Sequence, residues 1–173
     1  EAGAGIRGTG PLTLTNVDVL SNTAGLTGGG IAIDGDLILD HTRLRNNRSD
    51  SWNGGAYANN IIVINSLFQE NISTYPSGKG GGVWADTSLA ITATQFISNS
   101  SVAGGGGAGS NTYVTVADSL FQGNSCSDVN CTGGGLTMGS GTITGTQFID
   151  NTSLTGGGAV YSNGAITVIN SEF

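Results

Sequence analysis

The chain has 173 residues and a formal charge of −7, with five Lys and Arg residues in all, so it lacks the basic surface that binding to nucleic acid requires. No apolar run reaches the ~20 residues of a membrane-spanning helix. Glycine fills 31 positions, yet 37% of the residues are hydrophobic and many are β-branched, which favours an ordered β-rich fold over disorder.

Three patterns recur in step along the chain. The first is a glycine-rich marker that ends in an apolar or aromatic residue: GAGI (3–6), GGGI (28–31), GGAY (54–57), GGGV (80–83), GGGA (105–108), GGGL (133–136) and GGAV (157–160). A stretch of alternating aliphatic residues follows, as in Leu37 and Leu39 or Val114 and Val116. The third pattern is an apolar anchor with Asn three positions later. The steps between these Asn residues are 25, 24, 28, 25 and 27.

A period near 25 residues with about three short strands per unit leaves no room for helical crossovers between parallel strands. The remaining solution is a coil that winds once per repeat and stacks its strands at ~4.8 Å. We therefore predict an all-β fold, a right-handed single-stranded parallel β-helix of about seven coils with three short strands per coil. Residues 1–173 form one continuous segment in this prediction.

Stacking gives each recurring residue a structural role. The ends of the glycine markers are predicted to point inward as one column: Ile6, Ile31, Tyr57, Val83, Ala108, Leu136 and Val160. The anchors form a second inward column, which begins at Val19 and continues through the core stack of Leu44, Phe68, Phe96, Phe121, Phe148 and Phe173. A ladder of side-chain amides is predicted at one bend: Asn22, Asn47, Asn71, Asn99, Asn124 and Asn151.

The two ends of the chain read as ordinary repeat units. EAGAGI at the start and ITVINSEF at the end lack the atypical composition of the capping units that protect the edges of solenoids. We therefore expect the chain to be an excerpt of a longer repeat array.

The two cysteines, Cys126 and Cys131, are close enough in sequence for a small disulfide loop in an oxidising compartment. Free thiols are the alternative. With no His nearby, the pair makes a poor metal site, and no metal-binding or cofactor-binding residue is predicted.

The pairing of GG[AG] plus an aliphatic residue with FxxN resembles the repeat of the chlamydial polymorphic membrane proteins. Its best copies are GGAV (157–160), FQEN (68–71), FISN (96–99), FQGN (121–124) and FIDN (148–151). The resemblance covers nearly the whole chain. It implies an exported β-helix protein, attached to the outer membrane in its parent form, and many members are autotransporter passengers that act as adhesins.

The stretches between each ladder Asn and the next glycine marker vary in length and are longest at 48–53, 72–79 and 125–132. Such loops are predicted to project from the shaft as binding loops do. The candidate contact residues are Arg48, Trp52, Tyr75 and Lys79. The alternative is that Trp52 and Tyr75 only pack their own loops. Trp84 and Tyr161 should point outward, but they are three coils apart and predict no carbohydrate-binding stripe.

No adjacent pair of acidic residues emerges in register. Asp34 and Asp86 share a register but lie two coils apart, so no catalytic residue is predicted. The predicted function is therefore a non-enzymatic extracellular or cell-surface scaffold, adhesin-like, that binds a cell-surface receptor or glycan. The alternatives are a structural protein that self-associates end to end or laterally, a carbohydrate-active enzyme and an ice-binding protein.

Overall fold

The computed structural model describes residues 5–173 and contains strands, turns and bends throughout that range. Parallel strands stack in register into three sheets, and the path through the largest sheet crosses seven successive coils. The chain is therefore an all-β parallel β-helix, as the repeat period predicted. None of residues 5–173 belongs to a helix that could cross a membrane.

Sheet 1 combines the glycine marker and the alternating aliphatic stretch of each coil. Its strands are β1 (Ile6–Gly8), β2 (Leu12–Thr15), β5 (Ile31–Ile33), β6 (Asp36–Asp40), β9 (Ala56–Ile64), β12 (Val83–Thr92), β15 (Ala108–Ala117), β18 (Leu136–Thr144), β21 (Val160–Ser162) and β22 (Ile166–Ile169). In β9, β12, β15 and β18 the two patterns merge into one long strand. The sequence pattern had separated them.

Sheet 2 holds the apolar anchors. Its strands are β3 (Asp18–Leu20), β7 (Arg43–Arg45), β10 (Leu67–Gln69), β13 (Gln95–Ile97), β16 (Leu120–Gln122) and β19 (Gln147–Ile149). Each anchor is the central residue of its strand, so its side chain points into the shaft.

Sheet 3 consists of two-residue strands that follow each ladder Asn. They are β4 (Thr23–Ala24), β8 (Arg48–Ser49), β11 (Ile72–Ser73), β14 (Ser100–Ser101), β17 (Ser125–Cys126) and β20 (Thr152–Ser153). From the sequence, these residues were predicted to begin the variable loops, because a strand of two residues is too short to show an alternation. Arg48 therefore lies in β8 and not in a projecting loop.

The register of sheet 1 corrects the predicted position of Tyr57. Ala56 pairs with both Ile31 and Val83 in the inward column, whereas Tyr57 pairs with Trp84 on the outer side. The marker GGAY is displaced by one residue, so its last residue is not the inward one. Ala56 lies 12 residues before its anchor Phe68, whereas Val83 lies 13 residues before Phe96, and a one-residue bulge between Ala85 and Ser88 accommodates the extra residue of β12.

Phenylalanine rings stack along the middle of the shaft. Ring centroids of successive residues lie 4.7 to 5.0 Å apart, with interplanar angles of 5 to 12°, through Phe68, Phe96, Phe121, Phe148 and Phe173. Leu44 continues the column beneath Phe68 and is fully buried. These contacts are close to the strand spacing, so the rings follow the stacking of the coils.

The side chains of the ladder Asn residues tie neighbouring coils together. Asn99 is typical: its Nδ2 donates to Asn124 Oδ1 at 3.0 Å and to the carbonyl of Phe68 at 2.9 Å. Its Oδ1 accepts from both the backbone N–H and the Nδ2 of Asn71. The same pattern links the ladder from Asn22 to Asn151. Each amide thus satisfies groups that the bend would otherwise leave buried and unpaired.

A second ladder uses hydroxyl groups at the bend between sheets 1 and 2. The backbone N–H of Thr42 donates to Ser66 Oγ at 3.0 Å, and that of Ser66 donates to Thr94 Oγ1 at 3.2 Å. The pattern continues through Ser119, Thr146 and Ser171. This explains why a small hydroxyl residue stands two positions before most anchors.

The loop of residues 125–132 is closed by a disulfide between Cys126 and Cys131, whose Cα atoms are 5.6 Å apart. Both residues are buried against the shaft. The bond holds the last long loop of the chain close to sheet 3.

Candidate functional site

Two aromatic side chains lie side by side on the outer surface of sheet 1. Tyr57 of β9 pairs with Trp84 of β12, one coil further along the shaft. The next residue in this column is Gly109, where an added Cβ would lie 2.5 Å from Cζ3 of Trp84. The glycine therefore allows the indole ring to lie directly on the neighbouring coil.

The side chain of Trp84 lies flat on sheet 1 and is covered by Lys79. Only 3% of its surface is exposed, and Nζ of Lys79 lies 5.0 Å from the ring centroid. This cation–π contact stabilises the pair by about 0.5–1 kcal/mol. The same Nζ lies 3.4 Å from Oδ1 of Asn111, a residue at an outward position of β15. The indole face that Lys79 covers is consequently not free for a ligand.

Tyr57 is held by a carboxylate on the next coil. Its hydroxyl donates to Oδ2 of Asp86 at 2.5 Å. Burial, followed by this hydrogen bond and the charge of Asp86, raises the pKa of Tyr57 well above its ordinary value. The phenol therefore stays protonated at physiological pH and remains a donor to Asp86.

A cavity of about 380 Å³ lies above these residues. Two of the variable loops form its walls, with Trp52 from the first and Ser77 and Lys79 from the second. Trp52 is 49% exposed, so much of its indole is available for contact. We call this cavity the aromatic pocket. Its lining residues are Trp52, Asn53, Tyr57, Ser77, Lys79, Trp84, Asp86 and Asn111.

Asn53 is the residue that distinguishes the pocket wall from the same position on other coils. Its φ is +63°, and the equivalent positions are Gly28, Gly80, Gly105 and Gly133 with φ between 59 and 69°. Asn tolerates this conformation better than most residues but less well than Gly. The Oδ1 of Asn53 is buried and accepts no hydrogen bond. A buried acceptor without a partner lowers the free energy of unfolding by about 1–3 kcal/mol. Its occurrence beside a cavity therefore makes Asn53 a candidate functional residue.

Two of the four candidate contact residues line the aromatic pocket. Trp52 and Lys79 do so, and they come from adjacent coils as the repeat spacing implied. Tyr75 is 46% exposed on the second loop but lies outside the pocket. Arg48 is also outside, where its guanidinium bonds to Asp50 at 2.9 Å.

Sequence reasoning missed the other half of the site. Tyr57 was assigned to the core, and Asp86 and Asn111 were not considered as partners because they occupy outward positions of different coils. One available signal was Asn53, which stands where the other repeats have the first glycine of the marker. Such a substitution at a bend that recurs in each repeat indicates that the local structure differs from that of the other coils.

A second, more open groove of about 610 Å³ follows the bend between sheets 1 and 2. Asp18 and Arg43 face it, joined by two hydrogen bonds of 2.6 and 2.5 Å. The bond from Arg43 lowers the pKa of Asp18 and raises that of Arg43. This pair is exposed, and its polar groups satisfy each other, so the groove offers less for a ligand than the aromatic pocket does.

The hydrogen bond between Tyr57 and Asp86 predicts an alkaline titration. Burial, followed by the bond to Asp86, raises the folded pKa of Tyr57 above 10.0, so the stability linked to the protonated phenol is fully present below pH 10.0 and is lost as the pH rises through the raised pKa. The phenolate absorbance of the native protein, minus that of Tyr57→Phe, should therefore appear only at strongly alkaline pH. Asp86→Asn should lower the pKa of this titration. A Tyr57 signal that titrates at its ordinary pKa would contradict the contact.

The fold and the pocket together define a parallel β-helix repeat protein with a ligand-sized cavity on its outer surface. Residues 145–163 match the family model of the Chlamydia polymorphic membrane protein (Chlamydia_PMP) repeat. This segment contains the anchor Phe148, the ladder residue Asn151 and a glycine marker, and the same elements stack in register on the other coils. The chain is thus a parallel β-helix that contains, at residues 145–163, a repeat similar to those of the polymorphic membrane proteins. No curated protein and no solved structure gives a significant match.

Proposed function

We propose that the chain is the binding segment of a non-enzymatic, surface-exposed adhesin-like protein, and that it engages a cell-surface receptor or glycan at the aromatic pocket. The observation that carries the proposal is the position of this cavity. Two connections between sheet 3 and sheet 1 border it, and they contribute an exposed Trp52 together with Lys79. Exposed aromatic residues on loops of a rigid scaffold are typical of recognition sites.

The architecture supports this assignment in a second way. The repeat residues are used almost entirely to build the shaft, where the anchors are buried and the ladder amides bond to one another. The inward positions stay apolar, whereas polar and charged residues vary at the connections and outward positions, so ligand contacts can change without loss of the fold. The match to a repeat of the polymorphic membrane proteins favours exposure of the protein at a cell surface.

Replacing the two loops tests the proposal. Residues 72–79 would be replaced by SSVAG, the connection found at 100–104, and residues 48–52 by TSLTG from 152–156, so that each coil keeps the spacing between ladder Asn and inward residue that occurs at Asn99 and Ala108. We expect the purified chain to bind cells that display its ligand and the double variant to lose at least tenfold in affinity, measured by flow cytometry. The unchanged circular dichroism spectrum would show that the β-helix is intact.

The matched control is the same replacement of residues 125–132, which removes the disulfide loop and lies outside the aromatic pocket. This variant should bind as the native chain does. Full binding by the variant with both pocket loops replaced would overturn the assignment of the binding site.

A further inference from the structure

We infer that the aromatic pocket binds a neutral pyranose unit of a glycan, with one sugar ring packed on the indole of Trp52. The inference rests on the proposed function and names the chemistry of its ligand. Four properties of the described residues carry it: the size of the cavity, the one available aromatic face, the mixture of polar groups and the balance of charge.

The size of the cavity fits one or two sugar rings. A volume of about 380 Å³ is at the small end of the range of ligand pockets, about 300–1,000 Å³. It is too small for a folded protein segment to enter. A short oligosaccharide that projects from a surface can place its terminal unit there and leave the rest outside.

The aromatic residues are not equivalent, and this decides how a ligand would lie. Trp84 is covered by Lys79 on one side, and Gly109 lies against its ring. Tyr57 is committed to Asp86 through its hydroxyl. Trp52, by contrast, is half exposed at the rim. The negative face of its indole attracts the weakly positive C–H groups on one face of a pyranose ring.

The polar groups of the pocket include both donors and acceptors. They therefore match the hydroxyl groups of a sugar better than a ligand that only donates or only accepts hydrogen bonds. Asp86 offers acceptor oxygens, Asn111 offers an amide with both donor and acceptor, and Ser77 offers a hydroxyl. Asn53 adds a polar side chain to the wall at a position where other coils have Gly. A sugar hydroxyl both donates and accepts, so several hydroxyls on one ring can satisfy such a mixed set.

The charges favour a neutral sugar over an acidic one. The one cation of the pocket, Lys79, already contacts Trp84 and Asn111, and the carboxylate of Asp86 balances its charge. The chain as a whole carries a formal charge of −7, which repels polyanionic glycans. A quaternary ammonium ligand is also disfavoured, because Lys79 already lies over the indole of Trp84.

Binding of defined glycans tests the inference. The probes are trisaccharides with terminal glucose, galactose, mannose or N-acetylglucosamine, together with sialylated trisaccharides and heparin-derived tetrasaccharides. The native chain should bind at least one neutral probe by isothermal titration calorimetry, with a Kd that changes less than twofold between 50 and 500 mM NaCl. Binding only to the acidic probes, lost in high salt, would overturn the inference.

Three variants connect binding to the pocket. Trp52→Ala should weaken binding of the neutral probe at least tenfold, because it removes the stacking face. Tyr75→Ala is the matched control, since it removes an equally exposed aromatic residue from a loop but outside the pocket. Asn53→Gly should weaken binding severalfold without loss of thermal stability, because Gly occupies this position on four other coils. Unchanged affinity in Trp52→Ala would contradict the inference.

The results also separate this inference from the function on which it rests. If the chain binds cells in a manner that depends on its two pocket loops, but binds no neutral trisaccharide, the adhesin-like function stands and the sugar assignment fails. If the chain binds no cells and no glycan, both fail.

Discussion

Replacement of Phe96 by Ala should lower the free energy of unfolding by about 3–5 kcal/mol, the usual range for a large side chain removed from a core. Phe96 is fully buried and stacks on Phe68 and Phe121, with 4.7 Å between ring centroids on both sides. The flanking rings follow the backbone of their own coils and cannot collapse into the space. The cavity should therefore remain, and urea unfolding followed by circular dichroism would measure its cost.

The same column supplies a matched control for this substitution. Phe173 stacks on Phe148 at 5.0 Å but is 61% exposed, so Phe173→Ala removes the same atoms with little burial lost. Its effect should stay below about 1.5 kcal/mol. Equal effects at the two positions would show that the stack does not contribute through burial and would contradict the model of a continuous core.

Replacement of Asn99 by Ala is expected to cost roughly 3–4 kcal/mol, although Asn is a polar residue of modest size. Its side chain donates to the carbonyl of Phe68 and to Asn124, and it accepts two hydrogen bonds from Asn71. All of these groups are buried, and each one left without a partner costs about 1–3 kcal/mol. Thermal unfolding would detect the change as a lower Tm.

Asn60→Ala provides the comparison for the ladder. Asn60 also bonds to residues on both neighbouring coils, Asp36 and Ser88, each at 2.8 Å, but it does so at the surface of the shaft. Water can replace those partners, so the loss should be less than about 1 kcal/mol. A similar loss for Asn60→Ala and Asn99→Ala would mean that burial of the ladder does not matter.

The fold could be predicted because the repeat places like residues over one another. Phe68, Phe96 and Phe121 recur with the ladder Asn three residues later, and this phase relation determines the register of sheet 2. Two features could not be predicted from the sequence, for physical reasons. The strands of sheet 3 are two residues long, too short for a periodic signal. The one-residue displacement of GGAY could not be seen because its two glycines and final aromatic residue fit the marker pattern. The register of the strand is set instead by Ala56, which occupies the inward position.

The candidate site was predictable only in part. Trp52 and Lys79 were identified because the stretches that carry them were predicted to be longer than the other connections. The prediction was wrong for 48–53, because with Ala56 at the inward position this connection has the same length as the one that precedes Ile31; 72–79 is longer. Tyr57, Asp86 and Asn111 belong to regular strands, and their proximity depends on which side of sheet 1 they face. A one-residue bulge before Ser88 alters the bend in that strand. The position of such a bulge is not encoded in any pattern of apolar residues.

The backbone hydrogen bonds of the shaft join one coil to the next, so they point along its long axis. A mechanical load that pulls the two ends apart would therefore break the hydrogen bonds of the coils one after another, starting at an end of the shaft. Each such event would release 24 to 28 residues, or about 80–100 Å of extended chain. A shaft with this behaviour would dissipate force gradually, and the coils that form the aromatic pocket can stay intact while the outer ones unravel.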